Sequence, residues 1–115
     1  MPISNPISPV QNAIVIPFFW GDASPKPIAT VPAGDTIFTA QIVITVPFNG
    51  TDCTLQLGTI ADPDRLIAVN QNDPTFAAEY ETNPGLLFFG STDLYLTITP
   101  GSGCTQGNGF ILIEV

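Results

Sequence analysis

Proline and glycine occur too often along this chain to allow long helices. The 115 residues contain 12 prolines and 10 glycines, spread over the whole length. Proline fixes φ and lacks a backbone donor, so it ends helices and interrupts sheet ladders. The segments between these residues are short and rich in Val, Ile, Thr and Phe, which favour strands. The sequence therefore predicts one all-β domain.

The segment TIFTAQIVITVPF, residues 36–48, has the clearest strand pattern. Apolar residues alternate with Thr39, Gln41 and Thr45, so we expect one face of this strand to lie in the core. The predicted core face consists of Phe38, Ala40, Ile42, Ile44, Val46 and Phe48.

A tight hairpin turn is expected at Asn49-Gly50, because both residues tolerate positive φ. It would join the first strand to a second over 54–60, which directs Leu55 and Leu57 inward. A short helical turn is expected at 73–77. Similar patterns predict strands over 13–19, 27–31, 65–69, 76–82, 86–89, 93–99 and 110–115. Eight or nine short strands indicate a single-domain antiparallel β-sandwich of jelly-roll or Greek-key type.

The first 12 residues differ from the rest, because Pro2, Pro6 and Pro9 favour an extended backbone with few donors. We expect an extended N-terminal arm over 1–12 and the sandwich over 13–115. The arm is either a frayed terminus or a segment that lies on a neighbouring subunit, anchored by the apolar VIPFFW that follows. Under the second interpretation, the shell or subunit contacts are Pro6, Pro9, Val10, Ile16, Phe18, Phe19 and Trp20.

Acidic residues dominate the charge of the chain. Ten carboxylates face two basic side chains, for a net charge of −8, so we expect neither nucleic acid nor an anionic membrane as a partner. Charged residues make up only 10% of the chain, against roughly 25% in an ordinary soluble domain. Much of the surface must therefore rely on uncharged polar residues or be covered by another protein.

The N-terminus has neither the basic start nor the apolar centre of a signal peptide. We expect a chain that is made and used without standard secretion. The sequon Asn49-Gly50-Thr51 is then not expected to carry a glycan.

Histidine is absent from the sequence. Its absence removes Ser-His and Cys-His nucleophile pairs and the common zinc sets. Two carboxylate pairs remain as acid–base candidates, Asp62 with Asp64 and Glu79 with Glu81. A local turn around the aspartates and a solvated strand face for the glutamates are the simpler interpretations, and we favour them. We expect no enzyme activity, no metal and no cofactor.

Two cysteines and a few aromatic residues are the other candidates for a site. Cys53 and Cys104 lie beside turns, and they are either joined in a disulfide or free, the free form being favoured without a secretion signal. Trp20, Tyr80 and Tyr95 could stack on a sugar, but aromatic residues on strands are more often part of the core.

Two long segments of the chain carry a recognisable pattern: IVITVPFNGTDCTLQLGTIADPDRLIAV, 42–69, and NPGLLFFGSTDLYLTITPGSGCTQGNGFILIEV, 83–115. They resemble small β-sandwich structural proteins of tailed bacteriophages. In that group, a strand leads through a turn like FNGT into a TLxxGTxADPDRL segment, and an LYLTITPG hairpin precedes the C-terminal strand. The cysteines and VIPFFW are not part of this pattern.

The resemblance implies a virion structural protein. Such sandwiches occur as capsid cement, or decoration, proteins that are usually trimers on the shell, and as modules of head fibres or tails. We therefore expect a homotrimer, synthesised in the host cytoplasm, that binds the major capsid protein on the outer surface of the capsid and stabilises the head. The alternative is a receptor- or glycan-binding module of a head fibre or tail.

Overall fold

A computed structural model describes residues 13–115, which form nine strands and one short 3₁₀ helix over Val69–Gln71. No helix in this part of the chain is long and apolar enough to cross a membrane. The all-β prediction is confirmed, whereas the predicted arm over 1–12 lies outside the described residues. The strands are β1 (Ala13–Phe19), β2 (Lys26–Val31), β3 (Thr36–Ile37), β4 (Thr39–Val46), β5 (Thr54–Gly58), β6 (Glu79–Thr82), β7 (Leu86–Leu87), β8 (Thr92–Thr99) and β9 (Asn108–Glu114).

Two antiparallel sheets enclose one apolar core. The four-stranded sheet has the order β1-β9-β4-β6, the three-stranded sheet has the order β2-β8-β5, and β3 pairs with β7. Within 13–115 the core contains no buried polar or charged side chain. Burial of each Leu or Ile of this core contributes roughly 1.5–3 kcal/mol. The fully buried side chains with the largest volumes are Ile37, Ile42, Leu55, Leu57, Ile67, Leu94, Leu96, Ile111, Ile113 and Val31.

The predicted strand over 36–48 is correct in its centre and wrong at its ends. Ala40, Ile42 and Ile44 are buried as predicted, and so is Phe48, although it lies beyond the strand. Phe38 is 47% exposed and separates β3 from β4. A register irregularity between Ile44 and Val46 breaks the alternation, and Val46 is 37% exposed.

The predicted hairpin at Asn49-Gly50 is wrong, because β4 and β5 belong to different sheets. The segment between them crosses from one sheet to the other and is held by the loop before β9. The Asn49 amide donates to the Thr105 hydroxyl and accepts from the Thr105 N–H, each at 2.8 Å. A side chain at position 50 would collide with the Pro100 carbonyl oxygen. The Asn-Gly pair therefore serves a crossover rather than a hairpin.

Several other predicted elements are shorter than expected or absent. The predicted strand over 65–69 is reduced to a single bridge between Ile67 and Leu57, because Leu66 and Ile67 reach the core from a loop. At 73–77 the chain forms a single turn but no helix: the Phe76 N–H donates to the Asp73 carbonyl at 3.2 Å, and the Asp73 carboxylate accepts from the Thr75 N–H at 3.0 Å, as expected of a cap. The predicted strands over 54–60, 76–82 and 86–89 shorten to β5, β6 and β7.

Gly58 is the point where the ADPDR segment folds back onto β5. A Cβ at this position would collide with the Asp62 carbonyl oxygen and would lie 2.6 Å from the Arg65 nitrogen. The Thr59 N–H donates to the Asp62 carbonyl, and the Asp62 N–H donates to the Thr59 hydroxyl, both at 3.0 Å. This close approach leaves room only for glycine.

Replacement of Gly58 by alanine is expected to destabilise the domain by about 1–3 kcal/mol, the usual cost of overpacking. The measurement is equilibrium unfolding in guanidinium chloride. Gly90→Ala is the matched control, because nothing lies within 4 Å of a Cβ built there, and its effect should stay within about 0.5 kcal/mol. Equal stabilities of the two variants would show that the ADPDR turn can move away from β5.

Candidate functional site

The strand β1 exposes one apolar side and buries the other. Phe18 is only 3% exposed, and Ile14 and Ile16 pack against the core. The alternate residues point outward, and Val15 and Phe19 are 53% and 47% exposed. The outer side of this strand is therefore apolar as well.

The neighbouring strands extend this apolar surface. The β9 residues Leu112 and Phe110 lie opposite Val15 and Pro17, and Val43 of β4 lies beside Phe110. All three are partly exposed. We define the apolar face as Val15, Pro17, Phe19, Val43, Phe110 and Leu112.

The apolar face changes to an acidic border toward β6. Gln41 of β4 lies opposite Glu81, and Val43 lies opposite Glu79. Both glutamates are exposed, and the Gln41 side-chain amide donates to Glu81 at 2.8 Å. Within 13–115, β6 pairs only with β4 and forms a sheet edge. The interpretation of Glu79 and Glu81 as a solvated strand face therefore agrees with the structure.

The outer side of the three-stranded sheet has the opposite character. Its outward positions alternate with the buried leucines and isoleucines of β5 and β8. The Thr30 hydroxyl donates to the Asp93 carboxylate at 2.7 Å across this surface. The outward residues of β5 and β8 are Thr54, Gln56, Asp93, Tyr95, Thr97 and Thr99. Only one of the two sheets therefore presents an apolar surface.

The free edge of β1 has few hydrogen-bond donors to offer. Among the described residues, β1 pairs only with β9. The Phe19 N–H points away from β9 and donates to the Asp22 carboxylate at 3.0 Å. Since alternate residues direct their N–H groups to the same side, the missing donor of Pro17 falls on this edge too. A further strand therefore finds no free N–H donor at Pro17 or Phe19, in the second half of the β1 edge.

The predicted contact residues are only partly at the surface. Phe18 packs against Phe48 with ring centroids 6.3 Å apart, so Phe18 and the half-buried Ile16 serve the core of this chain. Phe19 is exposed and meets Trp20 edge to face, with centroids also 6.3 Å apart. Pro6, Pro9 and Val10 lie outside the described residues.

The contact residues named in the sequence analysis include Phe19 but miss the other five residues of the apolar face: Val15, Pro17, Val43, Phe110 and Leu112. The alternation in AIVIPFF separates Val15 from its buried neighbours, but both sets are apolar. Which set faces the core depends on the pairing with β9. The local sequence pattern therefore separates the two sides of β1 but does not show which side lies at the surface.

Asp62 and Asp64 lie close together in the turn that follows β5. A hydrogen bond with the Asp64 side chain is the main cause that raises the pKa of the Asp62 carboxyl, and Arg65 opposes the shift. The Arg65 guanidinium lies 3.8 Å from Asp62. No group of three or more His, Cys, Asp or Glu within 13–115 is arranged to hold a metal ion.

The two cysteines are free thiols in this structure. Cys53 is 8% exposed, and its burial raises the pKa of the thiol. The Cys104 S–H lies 3.3 Å from the Gln106 carbonyl oxygen, to which it donates. A bridge between Thr51 and Ser102 joins the two loops that carry the cysteines. The disulfide between them stays a prediction.

The two tyrosines have different environments. The Tyr80 hydroxyl donates to the Asp73 carbonyl at 2.8 Å, and its ring packs against the core. Burial raises the pKa of Tyr80. Tyr95 lines a shallow depression of the polar sheet surface together with Pro27 and Asp93. Only Tyr95 therefore offers part of its ring to the polar surface.

Comparison with known proteins gives a likeness of fold. No protein family matches the chain, and no curated protein matches it. A chain of the solved structure "Cyanophage Pam1 capsid asymmetric unit" superposes with a TM-score of 0.69 and 11% sequence identity. The match covers 99% of this chain and 91% of that chain. At this identity, the likeness shows that the two chains share a fold.

Replacement of Asp64 by alanine is expected to lower the pKa of Asp62, because it removes the hydrogen bond and the negative charge that raise it. Arg65, which favours the ionised carboxylate, would remain. The measurement is an NMR titration of the Asp62 carboxyl carbon between pH 2 and 7, with Asp35→Ala as a control in a different loop. An unchanged Asp62 titration in the Asp64→Ala variant would contradict the direct pairing of the two carboxyl groups.

Proposed function

We propose that this chain is a structural protein of a phage capsid. More specifically, we propose a cement or decoration protein that binds the outer surface of the head shell as a homotrimer. The observation that carries this proposal is the fold shared, over nearly the full length of both chains, with a chain of the Pam1 capsid asymmetric unit. The partners in this proposal are the major capsid protein and other copies of this chain.

The surface of the domain supports a role in assembly. Within 13–115, no group of three or more His, Cys, Asp or Glu is arranged to hold a metal ion, and Lys26 and Arg65 are both paired with aspartates. The apolar face, in contrast, provides a contiguous apolar surface of the kind that protein interfaces cover. Each Å² of apolar surface buried on the shell contributes roughly 25 cal/mol. Repetition of such a contact over a shell opposes the internal pressure of the packaged genome.

A receptor- or glycan-binding module of a head fibre or tail is the alternative function. It depends on Tyr80, Tyr95 or loop aspartates as the groups that would recognise a sugar. The Tyr80 hydroxyl is already bound to the Asp73 carbonyl, and Tyr95 lines only a shallow depression. The geometry therefore favours the cement role.

The copy number of this chain in purified virions tests the proposal. A cement protein covers the lattice, so we expect a ratio near one relative to the major capsid protein. Quantitative mass spectrometry of the virion, with isotope-labelled peptides of both proteins, measures this ratio. A few copies per particle would instead indicate a fibre, neck or tail location and would contradict the cement role.

Deletion of residues 1–12 is expected to weaken attachment to heads and to leave the domain folded, because the core lies within 13–115. Co-sedimentation with heads that lack this chain measures attachment, and circular dichroism with thermal unfolding measures folding. A Thr97→Ser variant on the polar sheet surface is the control and should bind like the full chain. Unchanged attachment of a folded truncated chain would refute a contact role for the arm.

A further inference from the structure

We propose that the apolar face docks flat against a different protein whose surface combines apolar and basic side chains, and not against a second copy of this chain. This inference rests on the proposed function, and it identifies the surface that meets the shell. Contacts between copies of the chain would then use other parts of the molecule.

The continuity of the apolar face across neighbouring strands argues for an interface. The face crosses three adjacent strands, β1, β9 and β4, without a charged residue among its six members. Val15 and Phe19 at its outer strand are each about half exposed, at 53% and 47%. Contiguous apolar surfaces of this kind on soluble domains mark sites of protein interaction. The polar outer side of the other sheet has no comparable surface.

The mode of contact is side chain against surface, because strand addition is hindered in the Pro17–Phe19 half of the β1 edge and along the charged β6 edge. On β1, Pro17 lacks an N–H and the Phe19 N–H is occupied by Asp22. On β6, Glu79 and Glu81 place two exposed charges on the other edge. A strand that approached the β1 edge would find few N–H donors. A strand that approached the β6 edge would have to desolvate the Glu79 and Glu81 carboxylates or would be repelled by them. The side chains of the apolar face remain accessible, as the exposure of Val15 and Phe19 shows.

The charge around the face determines the kind of partner. Glu79 and Glu81 border it along β6, and Glu114 lies between Ala13 and Thr39 at its end. These carboxylates favour a partner with lysine or arginine side chains around an apolar centre.

A second copy of this chain has little of that complement to offer. Its only basic side chains are Lys26 and Arg65, in a chain with a net charge of −8. The Lys26 ammonium lies near the Phe19 end of the face but is paired with Asp22 at 3.3 Å. Arg65 lies 3.8 Å from Asp62, in the turn after β5. The basic groups must therefore come from another protein, which in the proposed function is the shell.

The double variant Val15→Thr/Leu112→Thr tests the docking surface, because threonine keeps the branched shape that strands favour while it removes apolar area. Its binding to purified phage heads that lack this chain is expected to fall roughly tenfold or more. The matched control is Thr54→Ser/Thr97→Ser on the polar sheet surface, which should bind like the wild type. Thermal unfolding verifies that both variants are folded, and Val15→Glu provides a second variant if the first is unstable.

Salt dependence and oligomeric state test the chemistry of the partner. Binding of the wild type to heads should weaken as NaCl is added, and Glu79→Gln/Glu81→Gln should reduce that dependence. Equal salt dependence of the two proteins would overturn the inference that the partner has basic side chains around the contact.

The oligomeric state is measured by sedimentation. Val15→Thr/Leu112→Thr should keep the wild-type oligomeric state, and dissociation of the oligomer would assign the face to a second copy. If the wild type and the double variant bind heads equally, this inference is overturned but the proposed function is not. If the wild type does not bind heads at all, both the inference and the proposed function are overturned.

Discussion

The fold depends on a single apolar layer that two sheets share. Because side chains alternate along a strand, every residue that enters this layer sends its neighbour to the outer surface. On β5 and β8, those neighbours are Thr, Gln, Asp and Tyr, so the outer surface is polar. On β1 and β9, the neighbours along the middle of the strands are Val, Pro, Phe and Leu, and polar residues, Asn108 and Glu114, stand only at the two ends of β9. The same alternation therefore produces an ordinary surface on one sheet and an apolar surface on the other.

The positions of strands with strong alternation were predictable from the sequence, whereas the strands with which they pair were not. The bounds of β1 and the burial of Ala40, Ile42 and Ile44 agree with the pattern of the residues alone. The Asn49-Gly50 segment has the local chemistry of a hairpin, but its sheet assignment depends on pairing with distant strands. The side chain of Asn49 reaches Thr105, 56 positions away in sequence. The residues next to Asn49 in the sequence do not indicate a contact with so distant a residue.

The candidate surface was found only in part for a similar reason. The sequence identifies VIPFFW as an unusual apolar segment, and Phe19 and Trp20 do lie at its surface-accessible end. It does not distinguish Phe18 from Phe19, because both are equally apolar. The register between β1 and β9 decides that Phe18 lies in the core and Phe19 outside it.

The edges and the flat side of the four-stranded sheet have opposite properties, and together they restrict what can bind. An exposed apolar sheet with open edges invites pairing with other strands. Here Pro17 and the Asp22 contact close much of one edge, and Glu79 and Glu81 charge the other. A partner is left with the apolar face and its acidic border, where a match requires both an apolar centre and basic side chains. Since this chain has no unpaired lysine or arginine, the surface discriminates against its own copies while remaining available to a different protein.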